Sequence, residues 1–219
     1  MFDKSNIVIH LGLHKTGTTF LQKNVFPLIK DVNLICRPIS FGDFCIKRDM
    51  LNIISNEGFS FSLPHLSRCS IDYQNNVLLC FKKLFPDAKI IVGVRDRDSW
   101  LRSCYSEYVR AGGGFISFDK YVKKFGNHII DMDKYVSRIL CLWDDVFVYR
   151  QESLYDDIPS MCDFMGCVCP SFERKVIRMS FSKYQILVLR FINFCVPSIF
   201  YFLLARLLRV INKEEVVRL

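Results

Sequence analysis

Eight consecutive residues, Gly12-Leu13-His14-Lys15-Thr16-Gly17-Thr18-Thr19, bring together the groups that bind an anion: glycines, a lysine and threonine hydroxyls. They follow Ile7-Val8-Ile9-His10-Leu11, which predicts a short buried strand, and they open Thr18 to Val25, which predicts a helix stopped with the help of Pro27. Unpaired N–H groups at a helix start point outward, and the helix dipole favours negative charge there. The loop is therefore a phosphate cradle by its chemistry. Gly12 to Gly17 fits G-x-x-x-x-G, but a nucleoside-triphosphate loop continues with Lys and then Ser or Thr. Thr18 holds that lysine position, and the lysine stands inside the loop as Lys15. The displacement argues against ATP, although a nucleotide or sugar kinase with an atypical loop stays open as the rival enzyme.

A second group of polar residues follows Lys89 to Val94, the clearest strand in the chain. Arg95 stands at its end, and a helix is expected from Asp98, as N-cap, to about Arg110, with Gly112-Gly113-Gly114 ending it. A guanidinium presents a planar fork of donors that suits phosphate. Ser103 lies about one helical turn inward and can face the same pocket mouth. Trp100, Leu101, Cys104, Tyr105, Tyr108 and Val109 repeat as adjacent pairs, which reads as a core stripe, so the tyrosines are assigned to packing. Glu57, after the apolar run Met50 to Ser55, is the first candidate for a general base, and His14 inside the loop is the alternative. His10 on the strand and His65 after Pro64 are weaker candidates.

The elements that must position these groups alternate. Strands are expected at Ile7 to Leu11, Val32 to Cys36, Met50 to Ser55, Lys89 to Val94 and Val146 to Tyr149. Helical periodicity appears at Tyr73 to Phe85 and Tyr135 to Trp143. Such alternation implies the α/β class, a central parallel sheet flanked by helices. Ligands in these sheets bind beyond the strands' carboxyl ends, where the loop, Glu57 and Arg95 all stand.

The segment "LGLHKTGTTFLQ" resembles the 5′-phosphosulfate loop of sulfotransferases that use 3′-phosphoadenosine-5′-phosphosulfate (PAPS). Further similarity lies in "KIIVGVRDRDSWLRSCYSEYVRAGG" and "SRILCLWDDVFVYRQESL", so the resemblance runs from about Ile7 to Arg150. It implies a P-loop NTPase-like core and a single sulfotransferase domain over 1–219. It also implies that His14, Lys15, Thr16, Gly17, Thr18 and Thr19 hold the 5′-phosphosulfate, and that Arg95 and Ser103 bind the 3′-phosphate. Lys15 would stabilise charge on the bridging oxygen as the sulfuryl group leaves. "IISNEGFS" looks like the family segment that presents a carboxylate beside that group, which makes Glu57, His14 and Lys15 the catalytic candidates. The implied acceptor is a hydroxyl or amine, on a carbohydrate or glycolipid, and no metal is required. A nucleotide-binding protein whose catalytic machinery has lapsed is the non-enzyme alternative.

Beyond Gly166 the similarity fades. Arg174, Lys175, Arg178 and Ser180 are the local candidates for closing over the cofactor, but Arg178 stands where the family often has asparagine. Residues 183–219 read as a helical extension packed on the domain or on a membrane surface. Its run from Phe191 to Ala205 carries no charge but contains Pro197, and a spanning helix needs about 20 apolar residues. Peripheral contact, with Arg206 and Arg209 at the edge, fits better than spanning.

Composition sets the outer limits. The 219 residues are 51% hydrophobic and 24% charged, which suits a packed domain and excludes extended disorder. A net charge of +8 points to an anionic partner, and the absence of a dense Lys/Arg run excludes nucleic acid. No signal peptide is read at the start, so the ten cysteines are expected reduced and the protein cytoplasmic, with membrane association possible through the extension. Cys36, Cys80, Cys104 and Cys141 are expected to pack as small hydrophobes. Cys162, Cys167 and Cys169 lack the paired spacing of a zinc site.

Overall fold

The apolar runs and amphipathic segments become, in chain order, β1 (Ile7–His10), α1 (Thr18–Phe20), β2 (Val32–Cys36), β3 (Leu51–Ser55), α2 (Ile71–Leu84), β4 (Lys89–Val94), α3 (Arg97–Arg110), α4 (Phe118–Phe125), α5 (Met132–Leu142), β5 (Val146–Arg150), α6 (Leu154–Met165) and α7 (Lys183–Cys195). The computed structural model describes residues 6–36, 45–59, 63–66, 71–112, 115–126, 130–174 and 181–195. Lys175, Arg178 and Ser180, Gly113 and Gly114, and the part of the extension from 196 onward lie outside the described residues. The described residues fall into two compact units, the first from 1–96 and 128–177, the second from 97–127 and 178–219.

The first unit holds a parallel five-stranded sheet in the order β2-β3-β1-β4-β5, together with α1, α2, α5 and α6. This is the α/β architecture expected from the alternation. Successive strand residues point to opposite faces. Val8, Ile53, Ile91 and Tyr149 face one way and pack with Phe20, Leu21, Val25 and Phe26 after the loop, and with Leu154, Ile158 and Met161 of α6. Ile9, Ile54, Ile90 and Val92 face the other way and are also buried. Burial on both faces explains why the inner strands β1, β3 and β4 read as largely apolar runs, whereas the edge strands β2 and β5 are only partly buried.

Local chemistry sets several boundaries. α1 is one α-turn that widens into a π-helical stretch at Leu21–Val25 and tightens into a 3₁₀ turn at Phe26–Leu28, so Pro27 lies inside the helical run instead of stopping it. α5 begins before the expected Tyr135 because the Asp131 carboxylate caps it, accepting from the Lys134 N–H at 3.1 Å. α6, absent from the sequence reading, ends on Gly166 in the left-handed region. Among the cysteines expected to be buried, Cys104 is, but Cys36, Cys80 and Cys141 are exposed. On α2 the buried positions among the described side chains are Gln74, Val77, Leu78 and Phe81, and Cys80 turns off that face despite its apolar neighbours in sequence.

The second unit is helical. Trp100, Leu101, Cys104, Tyr105, Tyr108 and Val109 of α3 are buried, as the stripe predicts. Asp98 stands in the first turn and not at the N-cap. Tyr121 of α4 stacks on Tyr105 and Tyr108 with ring centroids 5.5 and 5.2 Å apart, and Tyr105 Oη donates to the Ile116 carbonyl at 2.8 Å. Arg190 of α7 donates twice to the Phe115 carbonyl, and Asn193 donates to that of Val109. Among the described residues no helix is long and apolar enough to cross a membrane.

Candidate functional site

β1 ends at His10, and the loop from Gly12 to Gly17 delivers the chain into the helical run at Thr18. Two residues of the loop adopt positive φ, Lys15 at 70° and Gly17 at 91°. Gly17 also needs to be bare, because a Cβ would lie 2.5 Å from Leu154 Cδ2. Lysine has no such licence, and the left-handed region costs it about 1–2 kcal/mol. Strain of this kind persists where a site requires it.

The threonines divide their work. Thr16 is buried and its hydroxyl donates to the Leu13 carbonyl at 2.6 Å, so its free offering to an anion is the backbone N–H. Thr18 is 2% exposed, and its Oγ1 has no partner in hydrogen-bond geometry. A buried hydroxyl without a partner is costly unless something supplies one. At the start of a helix, beside Lys15 and Thr19, an oxyanion could supply one, so the residues present fit a bound phosphate or phosphosulfate.

The two candidate bases come together. His14 Nδ1 lies 3.7 Å from Glu57 Oε1, with both side chains about one-fifth exposed. Glu57 opens a 3₁₀ turn directly after β3, and the Gly58 N–H donates to Asn56 Oδ1 at 2.8 Å. His65 joins them. Burial lowers its imidazole to about 4, and the neighbouring charges of Lys15 and His14 push the same way. A histidine after a proline in a loop gave no sequence signal of this proximity. His65 is neutral at ordinary pH and too weak a base to compete with the other two.

Arg95, at the carboxyl end of β4, reaches the loop: its Nη1 donates to the Lys15 carbonyl at 3.2 Å. Glu152 stands on its other side, with Oε1 3.9 Å from Arg95 Nε, and also accepts from the Asp96 N–H at 3.1 Å. Glu152 was not read from the sequence as part of the site. Ser103 belongs to the second unit, where it is buried on α3. Arg102 stacks on Phe118 and Arg110 pairs with Glu107, so neither is a free phosphate ligand. Arg174 pairs with Asp156 at 2.9 Å and covers the Tyr155 ring. A separate open cleft of 430 Å³ is lined by Val94, Ser137, Val148, Arg150 and Asp157 and includes no residue of the loop.

Beneath the loop lies a layer of buried polar groups that sequence reasoning missed. His10 Nδ1 is 2.8 Å from Ser55 Oγ and its Nε2 is 3.1 Å from Tyr149 Oη, while Gln22 Nε2 donates to Ser55 Oγ at 3.0 Å. Burial lowers the His10 imidazole to about 3, which removes it from consideration as a base. The available signal was Gly93: a glycine within an apolar strand marks a close approach.

No family model matches the chain, and no curated protein does. Among solved structures, a sulfotransferase from Alicyclobacillus acidocaldarius is similar, with a TM-score of 0.56 and 16% sequence identity over 89% of this chain and 93% of that one. At that identity the likeness is one of fold: the parallel sheet with its helices is a sulfotransferase-type architecture.

Proposed function

We propose that this chain is a sulfotransferase that moves a sulfuryl group from PAPS to a hydroxyl or amine acceptor of the carbohydrate or glycolipid class. The observation that carries the reading is Lys15, held at φ 70° inside an anion-binding loop, ahead of the Gly17-Thr18-Thr19 turn where an ATP-binding loop has its lysine after the glycine. The sulfotransferase-type fold supports it.

When bound, PAPS supplies a sulfuryl group and a stable leaving group, adenosine 3′,5′-bisphosphate. The loop N–H groups with the Thr18 and Thr19 hydroxyls hold the 5′-phosphosulfate. Arg95 is the anchor for the 3′-phosphate, with Ser103 its partner by resemblance. Lys15 offsets the charge that builds on the bridging oxygen as its bond to sulfur breaks. The acceptor oxygen forms the new bond to sulfur and loses its proton to the His14–Glu57 pair. Glu57, as carboxylate, is the base, and His14 orients it. These residues supply every charge and proton site that the transfer needs, so the proposal includes no metal.

Calorimetry with adenosine 3′,5′-bisphosphate and with ATP–Mg²⁺ tests the donor. Binding of the bisphosphate with little affinity for ATP is expected, and a preference for ATP would overturn the proposal in favour of a kinase. Transfer from labelled PAPS across a panel of glycans and glycolipids identifies the acceptor.

A further inference from the structure

Four strands of the sheet place polar or side-chain-free residues on one face near their carboxyl ends, as two pairs offset by two residues because His10 stands opposite Ile91. His10 pairs with Ser55, and Gly93 pairs with Tyr149. By strand alternation these four share a face with Val8, Ile53 and Ile91, whose side chains belong to the apolar core. Together they form the end of that core layer nearest the phosphate loop. β4 lies between β1 and β5, yet Tyr149 of β5 reaches His10 of β1. It does so by crossing Gly93, where a Cβ would overlap Tyr149 Oη and lie 2.8 Å from Thr16 Oγ1.

Counting donors fixes the direction of the bonds. The Ser55 carbonyl accepts from Gln22 at 3.2 Å, so the side-chain NH₂ of Gln22 must face Ser55, and it also donates to Ser55 Oγ. The Ser55 hydroxyl proton then has one acceptor, His10 Nδ1 at 2.8 Å. His10 is neutral, so its proton sits on Nε2 and is donated to Tyr149 Oη at 3.1 Å. The Tyr149 proton is left to point at the threonine hydroxyls beside it, Thr16 and Thr18. Thr16 already spends its own proton on the Leu13 carbonyl. The Thr18 contact is electrostatic, short of full hydrogen-bond geometry. Turned toward the Tyr149 proton, the Thr18 oxygen directs its own O–H outward to the loop's ligand. The opposite His10 tautomer would leave the Ser55 proton buried with no acceptor, which is unfavourable.

We infer that Gln22, Ser55, His10 and Tyr149 form a one-directional hydrogen-bond relay whose function is to orient the Thr18 hydroxyl for the 5′-phosphosulfate, with His10 locked as the Nε2–H tautomer. They are positioning residues and touch no substrate. The relay gives the loop a floor that does not titrate near neutrality, and the π-helical stretch at Leu21–Val25 sets Gln22 over Ser55. The inference rests on the loop holding the 5′ end of the nucleotide, as proposed above.

Tyr149→Phe keeps the ring and removes the hydroxyl. Its affinity for adenosine 3′,5′-bisphosphate should fall about five-fold, the size of one buried hydrogen bond, while adenosine 3′-monophosphate binds within about two-fold of the parent. Equal losses for both nucleotides, or no loss for the bisphosphate, would overturn the relay. An independent readout is the ¹⁵N spectrum of the His10 ring in the unmodified protein. The Nε2–H tautomer is expected, and Nδ1–H would refute the inference whatever the nucleotide data show. If the unmodified protein fails to bind the bisphosphate, the sulfotransferase reading falls and the ¹⁵N result still decides the direction of the bonds.

Discussion

His14 Nδ1 faces Glu57 Oε1 across 3.7 Å, so the two candidate bases are one pair drawn from two strand ends. β1 and β3 are adjacent and parallel, and their carboxyl ends therefore release both residues on the same side. Glu57→Gln tests which member takes the proton. Binding of adenosine 3′,5′-bisphosphate should stay close to that of the parent, and kcat should fall by about 10²–10⁴. Unchanged turnover would assign the proton to His14.

Lys15→Met removes a charge without changing the length of the side chain greatly. Loss of leaving-group stabilisation should lower kcat by about 10²–10³, with the melting temperature unaltered or raised. A parallel fall in melting temperature would show that Lys15 supports the fold and not the chemistry.

Arg95→Ala should weaken a 3′-phosphorylated nucleotide by about 10- to 100-fold, the worth of a charged hydrogen bond, and its 3′-dephospho analogue far less. Titration of both nucleotides measures the difference. Because Arg95 also donates to the Lys15 carbonyl, equal losses would mean that it serves the loop and not the 3′-phosphate.

Gly93→Ala places a methyl group against Tyr149 Oη and should destabilise the fold by about 1–3 kcal/mol. In the Gly93→Ala/Tyr149→Ala double variant the penalties should be less than additive, since alanine removes the ring whose Cζ and Oη the methyl group would meet. Chemical denaturation of the four proteins completes the cycle, and strict additivity would show that the two residues do not meet.

His10 makes stability depend on pH. Its folded value of about 3 lies below the ordinary 6.5, so between these limits the unfolded chain binds the extra proton. Stability contributed by this group is whole above about pH 6.5 and declines as pH falls, at ~1.4 kcal/mol per unit. From pH 7 to pH 5 the loss should be ~2 kcal/mol, measured by urea unfolding. His10→Gln should remove that part of the slope and leave the comparable contribution of His65, lowered to about 4 by burial.

The strands, the α/β class and the glycine-bearing loop were legible in the residues alone. Val32–Cys36 and Lys89–Val94 form strands with the bounds read from the sequence, and the second is an unbroken apolar run because it lies inside the sheet, buried on both faces. Gly12 to Thr19 declares its anion chemistry locally, since loop glycines, a lysine and hydroxyls at a helix start act without distant partners. Helix limits were less legible: a capping Asp131 and a Pro27 accommodated by π and 3₁₀ turns shift them by several residues. Only tertiary structure decided what lies near the loop. Glu57, His65, Arg95 and Glu152 reach it from separate places in the chain, and periodicity carries no information on such meetings. The relay beneath it depends on register: His10 opposite Ser55, and Gly93 opposite Tyr149. A shift of one residue would turn each of those side chains to the other face, and no local pattern records which pairing the sheet adopts.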